Sequence, residues 1–429
     1  MASRRARPMI AVSLGNALEY YDFTIYALFA IQIGATFFPS HDPQTSLLAS
    51  LATFGAGFLS RPLGALVIGR MGDRRGRGPA MVLSMALMGF AIALLVLCPG
   101  YDRIGYAAPA IAVTSRLIQG FALGGEVGPT TAYMLEWAPL HRRGLYVSLQ
   151  RATQLLANMA GALAGMLLAA LLSAEAFADY GWRIAVGLGA VIAPYAVYAR
   201  RNMPEPEAPA PHLDDTLASQ RNGPVRAALV CLFAGMGGTI SAYVLNYMTT
   251  LGQSALHLSP TVALTAQAIG CAVGIGAVFC GAALSDRWGR RPLILGGYFI
   301  AAVLVPIAFG VLLEHPGPQA FIVATSVVSV LLNLPNAVII TVMAESFPHR
   351  VRSLATSLAY TMPVTIFGGS TQFVVAWLTG ITGTAMVVAW YASGALLIGC
   401  VAVLFLRETA PARLGHLDSA QPTPSASHV

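Results

Sequence analysis

Twelve times along this chain an apolar stretch recurs that is long enough to cross a bilayer as a helix, which takes roughly 20 residues. The stretches cover about 9–37, 46–69, 79–98, 105–133, 145–172, 182–199, 225–250, 260–284, 291–313, 318–343, 352–378 and 384–406. In lipid every backbone amide must be satisfied within its own segment, so runs of this kind are helices. Composition agrees: 56% of the 429 residues are hydrophobic and only 10% charged, where a soluble domain carries about 25%. Too little polar surface exists to clothe a water-exposed globule. The fold class expected is an all-α integral membrane protein.

Arginine fixes how the spans are threaded. All 25 basic residues are Arg, and basic loops stay on the cytoplasmic side. Twenty of them sit before the first span, after each even-numbered span, or in the tail: Arg4, Arg5 and Arg7, then groups such as Arg70–Arg77, Arg142–Arg143 and Arg287–Arg291. The alternate loops hold only Arg103 and Arg183. Both termini are therefore expected in the cytoplasm of a bacterial cell, with the chain multi-pass in its inner membrane. The same scatter excludes nucleic acid as a partner, because no basic stripe or aromatic-interleaved patch forms. The five cysteines (Cys98, Cys231, Cys271, Cys280 and Cys400) lack metal-ligand or CxxC spacing and read as small buried hydrophobes. No cofactor or metal is expected.

The two halves of the chain repeat one another. Asp73-Arg74-Arg75-Gly76-Arg77 after the second span returns as Asp286-Arg287-Trp288-Gly289-Arg290 after the eighth, an offset of 213 residues (73 to 286). Glu136, Pro139 and Arg143 after the fourth span return as Glu345, Pro348 and Arg352 after the tenth, an offset of 209 (136 to 345). Two six-helix bundles are expected, over 1–201 and 224–408. A Pro- and acid-rich cytoplasmic linker at 202–223 joins them, and a disordered tail follows at 409–429. Such halves enclose a midplane site in many secondary transporters. In each loop, Gly lets helix ends approach while Asp and Arg can pair across helices or with a helix terminus. Asp73, Arg74, Arg77, Glu136 and Arg143, with Asp286, Arg287, Arg290, Glu345 and Arg352, are therefore candidates for a conformational latch. A positive-inside turn with an incidental acid is the plainer reading of either copy alone.

These words resemble the major facilitator superfamily, and more finely its metabolite:proton symporters, the group of citrate, tricarballylate, 2-oxoglutarate, shikimate and proline/betaine carriers. GNALEYYDF (15–23), RPLGALVIGRMGDRRGR (61–77), RLIQGFALGGEVG (116–128), Gly181-Trp182-Arg183 and ALSDRWGRRP (283–292) carry the resemblance. It implies twelve helices in two pseudo-symmetric bundles and alternating access, driven by a proton gradient with no bound cofactor.

Six ionisable residues remain inside spans, where each charge costs at least about 2.5–3.5 kcal/mol and normally faces a cavity. They are Glu19, Asp22, Glu126, Arg61, Arg116 and Arg151, all in the first half. Asn16, Glu19, Asp22 and Tyr26 step by three or four residues and fall within about 120° of one helix face, which makes Asn16 and Tyr26 candidate binding residues. In related sugar carriers an Asp on the first span and an Arg on the fourth form the proton-coupling pair; the resemblance places Asp22 and Arg116 there. A static ion pair is the alternative, and Glu19 and Glu126 are rival proton sites. Arg61 precedes Pro62 and suits either backbone carbonyls or substrate. Gln150 and Gln154 match places where related carriers touch substrate. Arg151 stands where several relatives carry an uncharged residue, and suits a substrate carboxylate or snorkelling to the surface. The second half offers only polar groups inside spans; Tyr243, Asn246, Asn333 and Asn336 join the candidate binding residues.

The function expected is proton-coupled uptake of a small organic acid, such as a di- or tricarboxylate, by a monomer. A zwitterion such as proline or betaine is the alternative substrate. An enzyme is disfavoured, since neither a phosphate loop nor HExxH nor a Ser/His/Asp set occurs.

Overall fold

The computed structural model describes residues 16–18, 20–75, 77–124, 127–201, 224–347 and 352–410. Glu19, Glu126, the 202–223 linker and the tail beyond Ala410 lie outside the described residues, as do the side chains of Asp73, Arg74, Arg77 and Glu136. Each expected span is met by a helix or a pair of collinear pieces. They are α1 (16–18 and 20–28, continuing past Phe29 as Ala30–Phe37), α2 (Pro43–Leu59 and Arg61–Arg75), α3 (Arg77–Leu97), α4 (Ala107–Leu123 and Val127–Trp137), α5 (Arg143–Leu171) and α6 (Trp182–Arg201). The second half follows as α7 (Pro224–Ser254), α8 (Pro260–Trp288), α9 (Arg290–Glu314), α10 (Pro318–Asn336 and Ile339–Glu345), α11 (Arg352–Pro363 and Gly369–Thr382) and α12 (Met386–Leu404).

Local chemistry sets the ends and breaks. Asp42 caps α2, accepting the Gln44 and Thr45 amides at 3.1 Å each, with Pro43 in the first turn where its missing N–H costs nothing. The Thr45 hydroxyl and then the Gln44 amide hold the Asp42 carboxyl below the usual carboxylate range. Ser259 and Pro260 start α8 in the same way. Pro363 cannot donate to the helix ladder, and α11 passes there into a π-helical turn, Val364–Gly368. Gly289 takes φ 107°, a left-handed value open to glycine, and so turns α8 sharply into α9.

Two large apolar cores form, one centred in the first half around Phe23, Phe54 and Trp182 and the other in the second around Tyr298, Phe309 and Phe321, and each takes in residues of the other half, such as Tyr243 and Leu155. They meet along α5 with α8 and along α2 with α11. Small residues let backbones approach closely in lipid. A Cβ on Gly55 of α2 would meet the Gly369 carbonyl of α11 at 2.5 Å. Both ends of this seam are joined. At the end carrying the arginine loops, Asp286 of α8 accepts the Gly144 and Leu145 amides of α5 at 2.9 and 3.0 Å. At the opposite end, Gln44 Nε2 donates to the Ala376 carbonyl at 2.9 Å and the Thr265 hydroxyl to Met166 Sδ at 3.3 Å. Past α12 the chain is held to the arginine-loop end as far as Ala410: Thr409 Oγ1 donates to Glu345 and the Ala410 amide to Glu408.

Candidate functional site

Cavities lie between the halves near mid-helix. One of about 460 Å³ has Tyr20, Arg151, Gln154, Asn158, Tyr243 and Thr325 in its wall. A second, about 490 Å³, shares Tyr20, Arg151, Gln154 and Tyr243 and adds Asn336 and Tyr360. A third, about 360 Å³, holds Arg61, Asn16, Gln150 and Thr130, again with Tyr20 and Tyr360. Tyr20 thus borders all three, and its hydroxyl meets that of Tyr360 at 3.1 Å across the halves.

Arg151 is the charge in the first two lobes. Its Nε and Nη2 donate to Asn333 Oδ1 at 3.1 and 2.9 Å, and Nη1 to Gln154 Oε1 at 3.3 Å. A guanidinium has five N–H donors, so two are left over. Its partners are neutral amides, and among the described residues no Asp or Glu lines either lobe. Gln154 Nε2, Tyr243 Oη and Thr325 Oγ1 are buried beside it with no hydrogen-bond partner. Buried polar groups are normally satisfied; four polar side chains with spare capacity around one chamber mark a place for a ligand. Asn158 Nδ2 donates to Asn246 Oδ1 at 2.5 Å, a second bridge between the halves.

Several expected placements differ. Gln150 does not join Arg151: about 100° round the helix from it, it faces the Arg61 lobe, with its Oε1 accepting from Thr131 at 2.9 Å. Asn333 stands behind Arg151 as its acceptor rather than in the cavity wall. The single face drawn through Asn16, Glu19, Asp22 and Tyr26 divides. Asn16, Tyr20 and Thr24, spaced by four, form the stripe that borders the lobes, while Asp22 packs against Gly189 of α6 and Tyr26 against Arg116.

Asp22 and Arg116 are both buried, and close enough to act on one another electrostatically. They form no direct ion pair. The Arg116 guanidinium lies 4.0 Å from the Tyr26 ring centre, donates to Gln119 Oε1, and reaches the Phe23 carbonyl at 3.4 Å. Aromatic faces thus take the place expected of a carboxylate. Tyr26, an expected binding residue, is sealed there too, donating to the Ser50 carbonyl at 3.3 Å. Asp22 Oδ1 has no hydrogen-bond partner.

The duplicated loop resolves clearly in the second half. Arg290, fully buried, bonds Asp286 at 2.6 Å and Glu345 through Nε and Nη2 at 3.3 and 3.2 Å. Asp286 in turn holds the amino end of α5, where helix geometry leaves N–H groups free and a positive dipole end. Arg352 Nε donates to the Ala344 and Phe347 carbonyls. Arg287 is exposed and stands apart from this cluster.

The sequence profile of the Major Facilitator Superfamily matches residues 12–362. The chain belongs to that superfamily. Among curated relatives, it is 33% identical to a citrate-proton symporter of Salmonella typhi over 93% of this chain and 94% of the relative. It is 30% identical to the alpha-ketoglutarate permease of Escherichia coli K12, over 94% of each, and 29% to that organism's proline/betaine transporter, over 94% of this chain and 84% of the relative. A solved structure of the proton:xylose symporter XylE superposes with a TM-score of 0.71 at 16% identity, covering 95% of this chain and 97% of that one. The twelve-helix, two-bundle facilitator fold is therefore this protein's fold, and it is a membrane transporter rather than an enzyme.

Within this facilitator, sequence reasoning missed Tyr20, Asn158, Thr325 and Ser329 as cavity residues. Tyr20 and Thr24 could have been found with Asn16, already a candidate, as an i, i+4, i+8 polar stripe on an otherwise apolar helix. Thr325 and Ser329 could not, because hydroxyls occur throughout membrane helices by bonding the preceding turn.

Proposed function

We propose that this facilitator imports a small organic anion, a carboxylate, together with protons, driven by the proton gradient and with no bound cofactor. One observation carries the reading: Arg151 brings a positive charge into the chamber between the halves with no carboxylate partner among the described residues. The side chain is half-buried; a charge drawn out of water without compensation is costly, and a carboxylate ligand compensates it through a fork-shaped pair of hydrogen bonds. A zwitterion such as proline or betaine would also bring a cation, for which the described residues lining these lobes offer no acidic side chain. The printed names of the citrate and alpha-ketoglutarate relatives agree with the anion reading.

Asp22 is the proton carrier in this proposal and Arg116 the group that senses it. Protonating Asp22 cancels its charge, weakens its hold on Arg116 and changes which packing of α1, α4 and α6 is favoured. Glu19 and Glu126 are the rival carriers. Asp286, Arg290 and Glu345 serve as the latch that closes the cytoplasmic side, with both termini on that side of a bacterial inner membrane. A monomer contains every group invoked. The test is uptake into proteoliposomes under an imposed proton gradient. Uphill accumulation of a carboxylate, with none of proline or betaine, is expected. Accumulation of the zwitterions alone, or mere equilibration of any solute, would overturn the proposal.

A further inference from the structure

The Arg61 lobe is not explained by a single carboxylate held on Arg151. Arg61 is 94% buried by the 6% exposure of its surface, and its guanidinium lies between two aromatic rings, 4.3 Å from the centre of Phe58 and 4.6 Å from that of Phe23. Those faces stabilise the cation but occupy none of its N–H donors. Its Nε is buried without a partner, and no described residue pairs a carboxylate with it. Gln150 Nε2, in the wall of the same lobe, is also buried and unpartnered. The free capacity here is that of donors. A carboxylate, which only accepts, is the complement of such a set.

The lobe is also next to the Arg151 chamber. Tyr20 and Tyr360 form the shared wall, holding each other only through their hydroxyl contact at 3.1 Å. Tyr243, whose hydroxyl is buried and unpartnered, is within electrostatic reach of both Arg61 and Arg151. Two guanidinium groups, each without an acid among the described residues, thus flank one wall of tyrosine hydroxyls, and each hydroxyl can itself donate to an anion.

We infer that the Arg61 lobe is a second carboxylate subsite, so that the transported solute carries at least two carboxylates, one held by Arg151 and one by Arg61. This rests on the anion reading of the Arg151 chamber. Gln150 supplies an amide donor to the second carboxylate, and the Tyr20–Tyr360 contact opens to let the solute span the wall. Selectivity for chain length and for the number of carboxylates is then set by the distance between the two guanidinium groups.

The experiment compares binding of propionate, succinate and tricarballylate to purified full-length protein by thermal shift and calorimetry at matched ionic strength. The unaltered protein is expected to bind the di- and tricarboxylate more tightly than the monocarboxylate. Arg61→Gln is expected to weaken succinate and tricarballylate by roughly tenfold or more, the loss of one charge-assisted contact, and to leave propionate within about twofold. Arg151→Gln weakens all three. Gln150→Leu reads the same lobe should Arg61→Gln fail to fold, and is expected to erode the same preference. A fold-only role for Arg61 would lower affinity for every acid in proportion, and that result, or an unchanged preference for succinate, overturns the subsite. Absence of any carboxylate binding by the unaltered protein would instead refute the anion reading itself.

Discussion

Asp286, the last acid of α8, accepts the Gly144 amide of α5 at 2.9 Å, so the carboxylate of one half caps a helix of the other. The same carboxylate takes the Leu145 amide and Arg290. Removing it frees two amides at a helix terminus, a loss of about 1 kcal/mol or more for such caps, and leaves Arg290 to Glu345 alone. Asp286→Ala is therefore expected to loosen the seam at this end. Hydrogen exchange should rise at Gly144 and Leu145 and stay as before at the Gln44–Ala376 end. Unchanged exchange at those two amides would show that the cap does not hold the seam.

Asp22→Asn keeps the size of the side chain and removes its titration. Accumulation of substrate against a gradient should fall to the level of equilibration, while exchange of labelled for unlabelled substrate continues, since Asp22 lines none of the lobes described. Full proton-driven accumulation by Asp22→Asn would move the proton to another acid.

The architecture was legible because membrane helices announce themselves by length and by arginine placement. Helix ends lie within a few residues of expectation, as at Pro260–Trp288 against 260–284 and Arg290–Glu314 against 291–313. The site was legible residue by residue but not in its pairings. Arg151, Gln154 and Tyr243 were singled out as polar groups inside apolar runs, and they do share a chamber. That Arg116 faces Tyr26 and Gln119, and that Gln150 and Arg151 serve different lobes, depends on the rotation of each helix about its own axis. A hydrophobic pattern fixes that rotation loosely when nearly every face is apolar. The repeated loop is the converse case: a motif at a helix end leaves little rotational freedom, and Asp286 meets a helix terminus while Arg290 meets Asp286 and Glu345.

Arg151→Lys separates charge from shape. Lysine keeps the positive charge but has a single ammonium in place of the planar fork, and it cannot hold Asn333, Gln154 and a carboxylate together as Arg151 can. KM for the acid should rise by about tenfold, one lost charge-assisted bond, with kcat affected less. Arg151→Gln should raise KM further. Wild-type KM in Arg151→Gln would exclude the chamber as the anion site.

Gly189 on α6 gives Asp22 its room. A Cβ built there would coincide with Asp22 Oδ1 and lie 3.4 Å from the Tyr21 ring. Aspartate has one short stem, and with Tyr21 and the α6 backbone around it the carboxyl must rotate away from its buried position. Gly189→Ala is accordingly expected to disturb coupling through Asp22 while leaving the Arg151 chamber in place. Accumulation should fall and carboxylate binding by thermal shift should persist. Gly187, two residues earlier on the same helix, is the control, because its added Cβ would find only Val96 Cγ1 at 4.0 Å. Gly187→Ala relieves backbone entropy in a helix and should stabilise slightly, by about 0.4–1 kcal/mol, with accumulation intact. If both alanine variants accumulate substrate equally well, the position of the Asp22 carboxyl is not what couples the proton to transport.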